Sequence, residues 1–271
     1  MGIPVDTASA HPPSTLLALS EGWRALLEAS SLLPTLPLLN RLPRGDGHPV
    51  YVLPGFMADS QSTGMLRRWL DRLGYNAIPW GFGRNLGPRG NLQERLVQTV
   101  ANIARHYGQP VSLIGQSLGG VFAREIAKAL PGQVRQIITL GSPFGQTVVN
   151  GTYPAVLRLF ELATGEDIGS VRERLSDLPN PPPVPCTAIF SRTDGIAHWK
   201  TCIEQERPTT DNVEVVASHC GMGFNPVIYY VIADRLSLPH GAWQRFDRGG
   251  WRSLVYPNAV FAAAPGNGKP H

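Results

Sequence analysis

Residues 111–130, Val111-Ser112-Leu113-Ile114-Gly115-Gln116-Ser117-Leu118-Gly119-Gly120-Val121-Phe122-Ala123-Arg124-Glu125-Ile126-Ala127-Lys128-Ala129-Leu130, decide the fold. The first four form an apolar run of strand length, and the stretch from Gly120 onward reads as a helix. Between them stands Gly115-Gln116-Ser117-Leu118-Gly119, a G-x-S-x-G pattern. A serine held in so tight a strand-to-helix turn leaves no room for side chains two residues to either side. Glycine meets that need and tolerates unusual backbone angles nearby. Composition alone supplies such a pattern roughly one time in five in a chain of this glycine and serine content. The flanking strand and helix, and the order of partner residues, therefore carry the weight.

Outward from this unit, strands and helices alternate. Residues 48–53, 76–80, 134–140, 187–190 and 213–216 read as further strands. Residues 62–73, 92–107 and 226–236 read as helices, the second with Leu92, Leu96, Val100, Ile103 and Tyr107 on one face. Such alternation predicts an α/β domain over residues 47–257, its parallel sheet covered on both sides. The alternation stops between residues 145 and 185. There, helical patches at 154–163 and around 170–175 precede Asn180-Pro181-Pro182-Pro183, which predicts a lid-like insertion over the sheet's upper edge. Residues 1–46 precede the domain. Leu16, Leu19, Trp23, Leu26, Leu27, Ala29 and Leu33 lie at near-helical spacing over residues 14–33, so an amphipathic helix is expected to pack on the main domain in preference to a membrane surface. A proline-rich connector, residues 34–43, is expected to end it, and residues 258–271 read as a disordered tail.

The 271 residues are 42% hydrophobic and 16% charged, which suits a globular chain with a sizeable core. Net charge is +4 with Lys and Arg scattered, against the concentrated basic face of a nucleic-acid binder, though a mild pull toward anionic surfaces remains. The N-terminus lacks a basic leader, and Glu21, Arg24 and Glu28 interrupt the first leucine-rich stretch, which argues against a signal peptide. No uncharged run has the length of a bilayer span. Cys186, Cys202 and Cys220 are too few for a disulfide framework; reduced thiols and a cytoplasmic location are expected, although Cys202 and Cys220 both follow loops of neighbouring strands. Gly81-Phe82-Gly83-Arg84-Asn85-Leu86-Gly87-Pro88 has the wrong spacing for a dinucleotide loop, with proline where a helix would start, and reads as a rigid loop at the rim of the site. No His/Cys/Asp cluster has ligand spacing, so neither metal nor cofactor is expected.

A serine hydroxyl becomes a nucleophile when a base takes its proton, and that base is usually a histidine oriented by a buried carboxylate. In a parallel α/β sheet these partners belong just beyond later strands, acid first and histidine last. Asp194 lies four residues past the strand ending at Phe190, and His219 three residues past the last strand. The competitors are badly placed. His198 shares the acid's loop, His106 sits late in a helix, His48 begins a strand, His240 follows the last helix, and His11 and His271 lie in the termini. Asp177 falls in the insertion and Asp211 precedes its strand. An oxyanion needs two backbone N–H donors: Leu118 follows the serine, and Phe56, with Met57 second, follows Pro54-Gly55 after the first core strand.

Leu53-Pro54-Gly55-Phe56, Gly115-Gln116-Ser117-Leu118-Gly119-Gly120, Gly141-Ser142-Pro143, Ser191-Arg192-Thr193-Asp194-Gly195 and Ser218-His219 together resemble the α/β-hydrolases, over about residues 47–237. The closest likeness is to bacterial lipase- and esterase-like members. The resemblance implies an all-parallel six-stranded sheet of order 2-1-3-4-5-6, counting core strands along the chain. It also implies Ser117 as nucleophile, Asp194 as acid, His219 as base, and Phe56 and Leu118 as oxyanion donors, in hydrolysis of carboxylic esters through an acyl-serine. Many members carry His-Gly where Pro54-Gly55 stands, a change that leaves a backbone donor intact. Met57, Trp80, Phe144, Trp199, Met222 and Phe224 in the loops, with Leu157 and Phe160 in the insertion, are expected to line a site for a medium or long acyl chain or an aromatic ester. The expected partner is a small-molecule ester or lipid, with transient contact at a lipid surface. Two alternatives keep the scaffold: an acyltransferase using the same acyl-enzyme, and a non-catalytic binding protein, for which a triad member should have decayed.

Overall fold

A computed structural model of the chain describes residues 3–6, 9–145, 148–165, 178–257 and 261–263. In chain order its elements are β1 (Ile3–Val5), α1 (Thr15–Leu39), β2 (Pro49–Leu53), α2 (Gly64–Leu73), β3 (Asn76–Ile78), α3 (Leu92–Tyr107), β4 (Val111–Gln116), α4 (Leu118–Ala129) and β5 (Val134–Leu140). Then come α5 (Val148–Gly151), α6 (Pro154–Thr164), β6 (Cys186–Phe190), β7 (Thr210–Glu214), α7 (Pro226–Leu236) and β8 (Phe261–Ala263). The ends follow local chemistry. Gly108, at φ 63°, closes α3 in the left-handed region. Pro226 opens α7, whose Val227 N–H is capped by the Asn225 side chain at 3.0 Å.

Six strands form one sheet in the order β3-β2-β4-β5-β6-β7, every neighbouring pair parallel, as the order 2-1-3-4-5-6 requires. Every residue of β2, β5 and β6 is buried, because helices cover both faces. Trp69 and Leu70 of α2 and Tyr229 and Ile232 of α7 meet Ile114 and Ile138 on one face. Leu96 and Val100 of α3 and Phe122 and Ile126 of α4 meet Leu113 and Ile137 on the other. Parallel strands bring all their C-terminal ends to one edge, and the loops carrying Phe56, Ser117, Asp194 and His219 leave from that edge.

Four expectations are corrected or qualified. The helix expected over 14–33 runs on to Leu39 with Pro34 and Pro37 inside it. Both prolines lie on the exposed side, where water can take the carbonyls they leave without a helical donor. Its apolar stripe also faces the other way: Leu16, Leu19, Trp23, Leu26, Leu27 and Leu33 are 56–79% exposed, while Glu21 is buried. The sixth core strand starts at Thr210 instead of Val213, so Asp211 lies within it. Its polar first residues are buried on partners: Asp211 accepts from Phe246 N at 2.8 Å and Arg248 at 2.9 Å, and Asn212 exchanges bonds with Glu204. Within the segment read as a tail, β8 pairs parallel with β1. The patch at 170–175 and Asp177 lie outside the described residues. Among the described residues, no helix is long and apolar enough to cross a membrane.

Candidate active site

Ser117 sits between β4 and α4 at φ 50°, ψ −121°. Only it and Met57, among non-glycine described residues, have positive φ, and both fall at this one edge of the sheet. Such backbone is strained for an L residue and persists only where its surroundings fix it. Here they do. Ser117 N–H donates to the Leu140 carbonyl at 2.9 Å, and the Ser117 carbonyl accepts from Gly120 N at 3.0 Å. A Cβ on Gly115 would strike the Gly120 backbone, and one on Gly119 would strike the carbonyls of Leu53 and Pro54.

Those two carbonyls belong to the last residue of β2 and the first of the loop after it, so the elbow and the Pro54-Gly55-Phe56-Met57 loop are packed backbone to backbone. Asn85, fully buried, organises that loop. Its side-chain amide donates to the Pro54 carbonyl at 2.9 Å, its N–H to the Ala58 carbonyl at 2.7 Å, and its own carbonyl accepts from Met57 N at 2.7 Å. Met57 N–H, the second-choice oxyanion donor, is therefore taken. Leu118 opens α4, and a helix's first residue has no helical acceptor for its N–H.

Asp194 and His219 meet across the loops after β6 and β7. His219 Nδ1 lies 2.7 Å from Asp194 Oδ2, and Asp194 Oδ1 accepts from Ile196 and Ala197 N–H at 2.8 Å each. Asp194 and His219 are 3% and 7% exposed. Burial opposes a charge on the imidazole. The charge and hydrogen bond of Asp194, with the charge of Glu21, outweigh it and hold His219 above its ordinary value. Ser191 ties the two loops: its Oγ donates to the Ala217 carbonyl at 2.8 Å and accepts from Ala217 N–H at 3.1 Å. Gln116, beside the serine, donates from Nε2 to the His219 carbonyl at 3.0 Å, placing the elbow and the His219 loop side by side. Among the described residues no hydrogen bond joins Ser117 Oγ to His219; such bonds often tighten only when substrate is present.

The aromatic residues divide. Phe160 of α6 packs on Phe56 with ring centroids 5.4 Å apart, Leu157 is half-buried on the same helix, and Met57 is 36% exposed. Trp80 stacks on Phe122 and meets Phe82 inside the core. Phe144 is buried under the Arg124 guanidinium, 3.8 Å from its ring. Met222 is buried in the core beside Gly141. Trp199 stacks on Phe190, and Phe224 packs on the core. Trp80, Phe144 and Met222 thus belong to the packing under the loops, because each is closed off from solvent.

A second Ser–His–Asp chain occurs at the opposite edge of the sheet. His48 contacts Asp46 through Nδ1 and lies 2.9 Å from Ser112 Oγ through Nε2. His48 and Ser112 are wholly buried, so this chain has no room for a substrate and serves as internal polar pairing. All three cysteines are free, Cys186 and Cys202 buried and Cys220 exposed.

Two residues that the sequence reading passed over are prominent. Asn85 lies in the stretch read only as a rim loop, and Glu21 lies on α1, where its charge served to exclude a leader. Neither carries a periodic signal, because their partners are backbone groups distant in sequence.

Known structures share the architecture. A monoacylglycerol lipase from Paleococcus ferrophilus aligns with TM-score 0.54 and 15% identity over 72% of this chain and 95% of that one. Aspergillus fumigatus lipase B gives 0.53 and 17% over 75% of this chain, which spans only 56% of that lipase. The mature Bacillus licheniformis lipase BlEst2 gives 0.51 and 17% over 73% and 95%. Neither a protein-family model nor a curated protein sequence matches the chain.

Proposed function

We propose that this chain, which has the α/β-hydrolase fold, hydrolyses carboxylic esters through an acyl-serine intermediate. The observation that carries the reading is the Asp194–His219 pair, 2.7 Å apart and buried, on the loop bonded to the Ser117 elbow. In this mechanism Ser117 Oγ attacks the ester carbonyl while its proton passes to His219 Nε2. Asp194, acceptor-only and fixed by two N–H groups, orients the imidazole and stabilises its charged form. Phe56 and Leu118 N–H groups receive the oxyanion. The carbon–oxygen bond to the alcohol breaks as His219 returns the proton to that oxygen. Water, deprotonated by His219, then cleaves the acyl-serine, releasing the acid and restoring Ser117.

The substrate we assign is an ester with a medium or long acyl chain or an aromatic acid, received between Phe56, Met57, Leu157 and Phe160. Supporting this, none of the residues of α6 is buried, and Leu159 and Leu162 on it are 43% and 81% exposed. The lipid surface enters the same reading through α1. Its outward apolar face is carried by the helix whose polar face holds the catalytic loops, and the +4 charge favours anionic lipid. A cytoplasmic location accords with three free cysteines.

A series of p-nitrophenyl esters from acetate to palmitate tests this reading, measured with and without an added alcohol acceptor. The expected result is hydrolysis that rises with chain length beyond acetate and yields free acid when acceptor is present. No turnover of any ester would overturn the hydrolase reading, and product found mainly as the transferred ester would make the chain an acyltransferase.

A further inference from the structure

We infer that Glu21 of α1 is a positioning residue for the reaction, one carboxylate holding the acid and base loops in register; this rests on the triad reading above. Its Oε1 accepts from Gly195 N–H at 2.8 Å and from His219 N–H at 3.0 Å, and its Oε2 accepts from Cys220 N–H at 2.9 Å. Gly195 directly follows Asp194 in sequence. A single side chain thus fixes the residue next to the acid and the backbone of the base itself. Gly195 has no side chain because a Cβ there would collide with the Leu17 carbonyl and the Ala18 nitrogen, so α1 lies directly on the acid loop.

The neighbours of Glu21 on α1 reinforce the clamp. Arg24 donates to the Thr193 carbonyl at 2.8 Å and to Thr193 Oγ1 at 3.0 Å, with its guanidinium 3.8 Å from Glu21. Glu28 accepts from Ser218 N–H at 2.7 Å and from the Asn225 amide at 2.9 Å. Three polar residues one helical turn apart therefore grip residues 193, 195, 218, 219 and 220. This accounts for the inward turn of the helix's polar face. Buried loop N–H groups require acceptors, and a leucine stripe offers none.

The clamp acts on catalysis in two ways. It sets the spacing of loops whose reacting groups must be held to well under 1 Å. It also sets a negative charge near the imidazole. The charged groups acting on His219 are Asp194 from the β6 loop and Glu21 from α1; Arg24 lies beside Glu21, Glu28 holds the neighbouring Ser218 N–H, Cys220 adjoins His219 in its own loop, and His198 lies further along the acid loop. Losing the Glu21 charge disfavours the imidazolium and lowers the pH at which His219 becomes neutral.

Glu21→Gln, Glu21→Asp and Ser117→Ala separate these effects, with p-nitrophenyl butyrate as substrate and unfolding followed alongside. Glu21→Gln is expected to lower kcat about tenfold or more, with KM within about twofold, and to move the acid limb of kcat/KM to lower pH. Glu21→Asp keeps the charge but loses reach, so kcat falls while the acid limb stays. A folded Glu21→Gln enzyme with unchanged kcat and acid limb, beside an inactive Ser117→Ala, would overturn the inference and leave the triad standing. An active Ser117→Ala would instead remove the triad and the inference with it. Should Glu21→Gln fail to fold, Glu21→Asp carries the test, because it keeps the charge and shortens the reach to the Gly195, His219 and Cys220 N–H groups. A folded Glu21→Asp enzyme with unchanged kcat then overturns the inference.

Discussion

At the scale of single residues, the Asp194–His219 pair determines where a proton is held. In the proposed mechanism His219 works as a base only when neutral, and its surroundings favour the charged form, so activity is expected to fall as pH drops through a value above the ordinary 6.5. The acid limb of kcat/KM against pH is expected above 6.5, and a midpoint below it would contradict the electrostatics of the Asp194–His219 pair. Asn85 makes a second residue-level prediction. Its amide and backbone hold Pro54, Met57 and Ala58 in the loop that carries Phe56, the proposed oxyanion donor. Asn85→Ala leaves the Pro54 carbonyl without its buried donor, a loss of about 1–3 kcal/mol in urea unfolding. Beyond that, kcat should fall about tenfold or more as Phe56 N–H drifts from its place, and unchanged kcat would mean that the loop holds itself. The nucleophile, acid and base candidates were readable in the sequence because each follows a strand at a recognisable step. Asn85 and Glu21 were not, since a side chain that satisfies distant backbone N–H groups leaves no local pattern.

At the scale of elements, agreement is closest where periodicity and end signals coincide. Residues 92–107 and 226–236 were legible as helices because apolar spacing, a closing glycine and an opening proline agree. The edge strand β7 was read late because its first residues, Thr210, Asp211 and Asn212, are polar yet buried on specific partners. The helix α1 was found but turned around. Its amphipathic spacing is symmetrical as a signal: it says that one face is apolar, not which face the protein covers. From its exposed face comes an element-level prediction. Flotation of the Ser117→Ala protein with phosphatidylcholine–phosphatidylglycerol vesicles should carry it to the lipid fraction, with a blue shift of tryptophan emission. The double variant Leu19→Ser, Trp23→Ser should stay behind while its stability changes by about 0.5 kcal/mol or less, as exposed substitutions do. Equal flotation of both proteins, or a stable dimer that loses its partner in the variant, would assign the face elsewhere.

At the scale of the whole molecule, a sheet covered on both faces supports one edge of loops, and buried ion pairs tie the outlying segments to it. Arg124, wholly buried on α4, pairs with Glu204 and donates to the carbonyls of Leu178 at 2.9 Å and Asn180 at 3.0 Å, so it anchors the return of the insertion. Arg124→Leu leaves Glu204 buried without this partner and should cost about 3–5 kcal/mol in urea unfolding; a loss under about 1 kcal/mol would show the pair to be dispensable. The parallel sheet was legible because strand and helix alternate without interruption up to residue 140, and its strand order followed from the resemblance to the α/β-hydrolases. The insertion was legible as a break in that alternation and in its helix over 154–163, which is α6, whereas its contacts with distant loops left no local signal. The loops at that edge surround Ser117, whose backbone is strained and whose glycine neighbours admit the close packing of the turn. The most direct measurement compares p-nitrophenyl ester hydrolysis by the wild-type protein and by Ser117→Ala of matched thermal stability. The expected result is a fall of about a thousandfold or more, leaving only residual turnover from the oxyanion donors. Turnover equal to the wild type would contradict it.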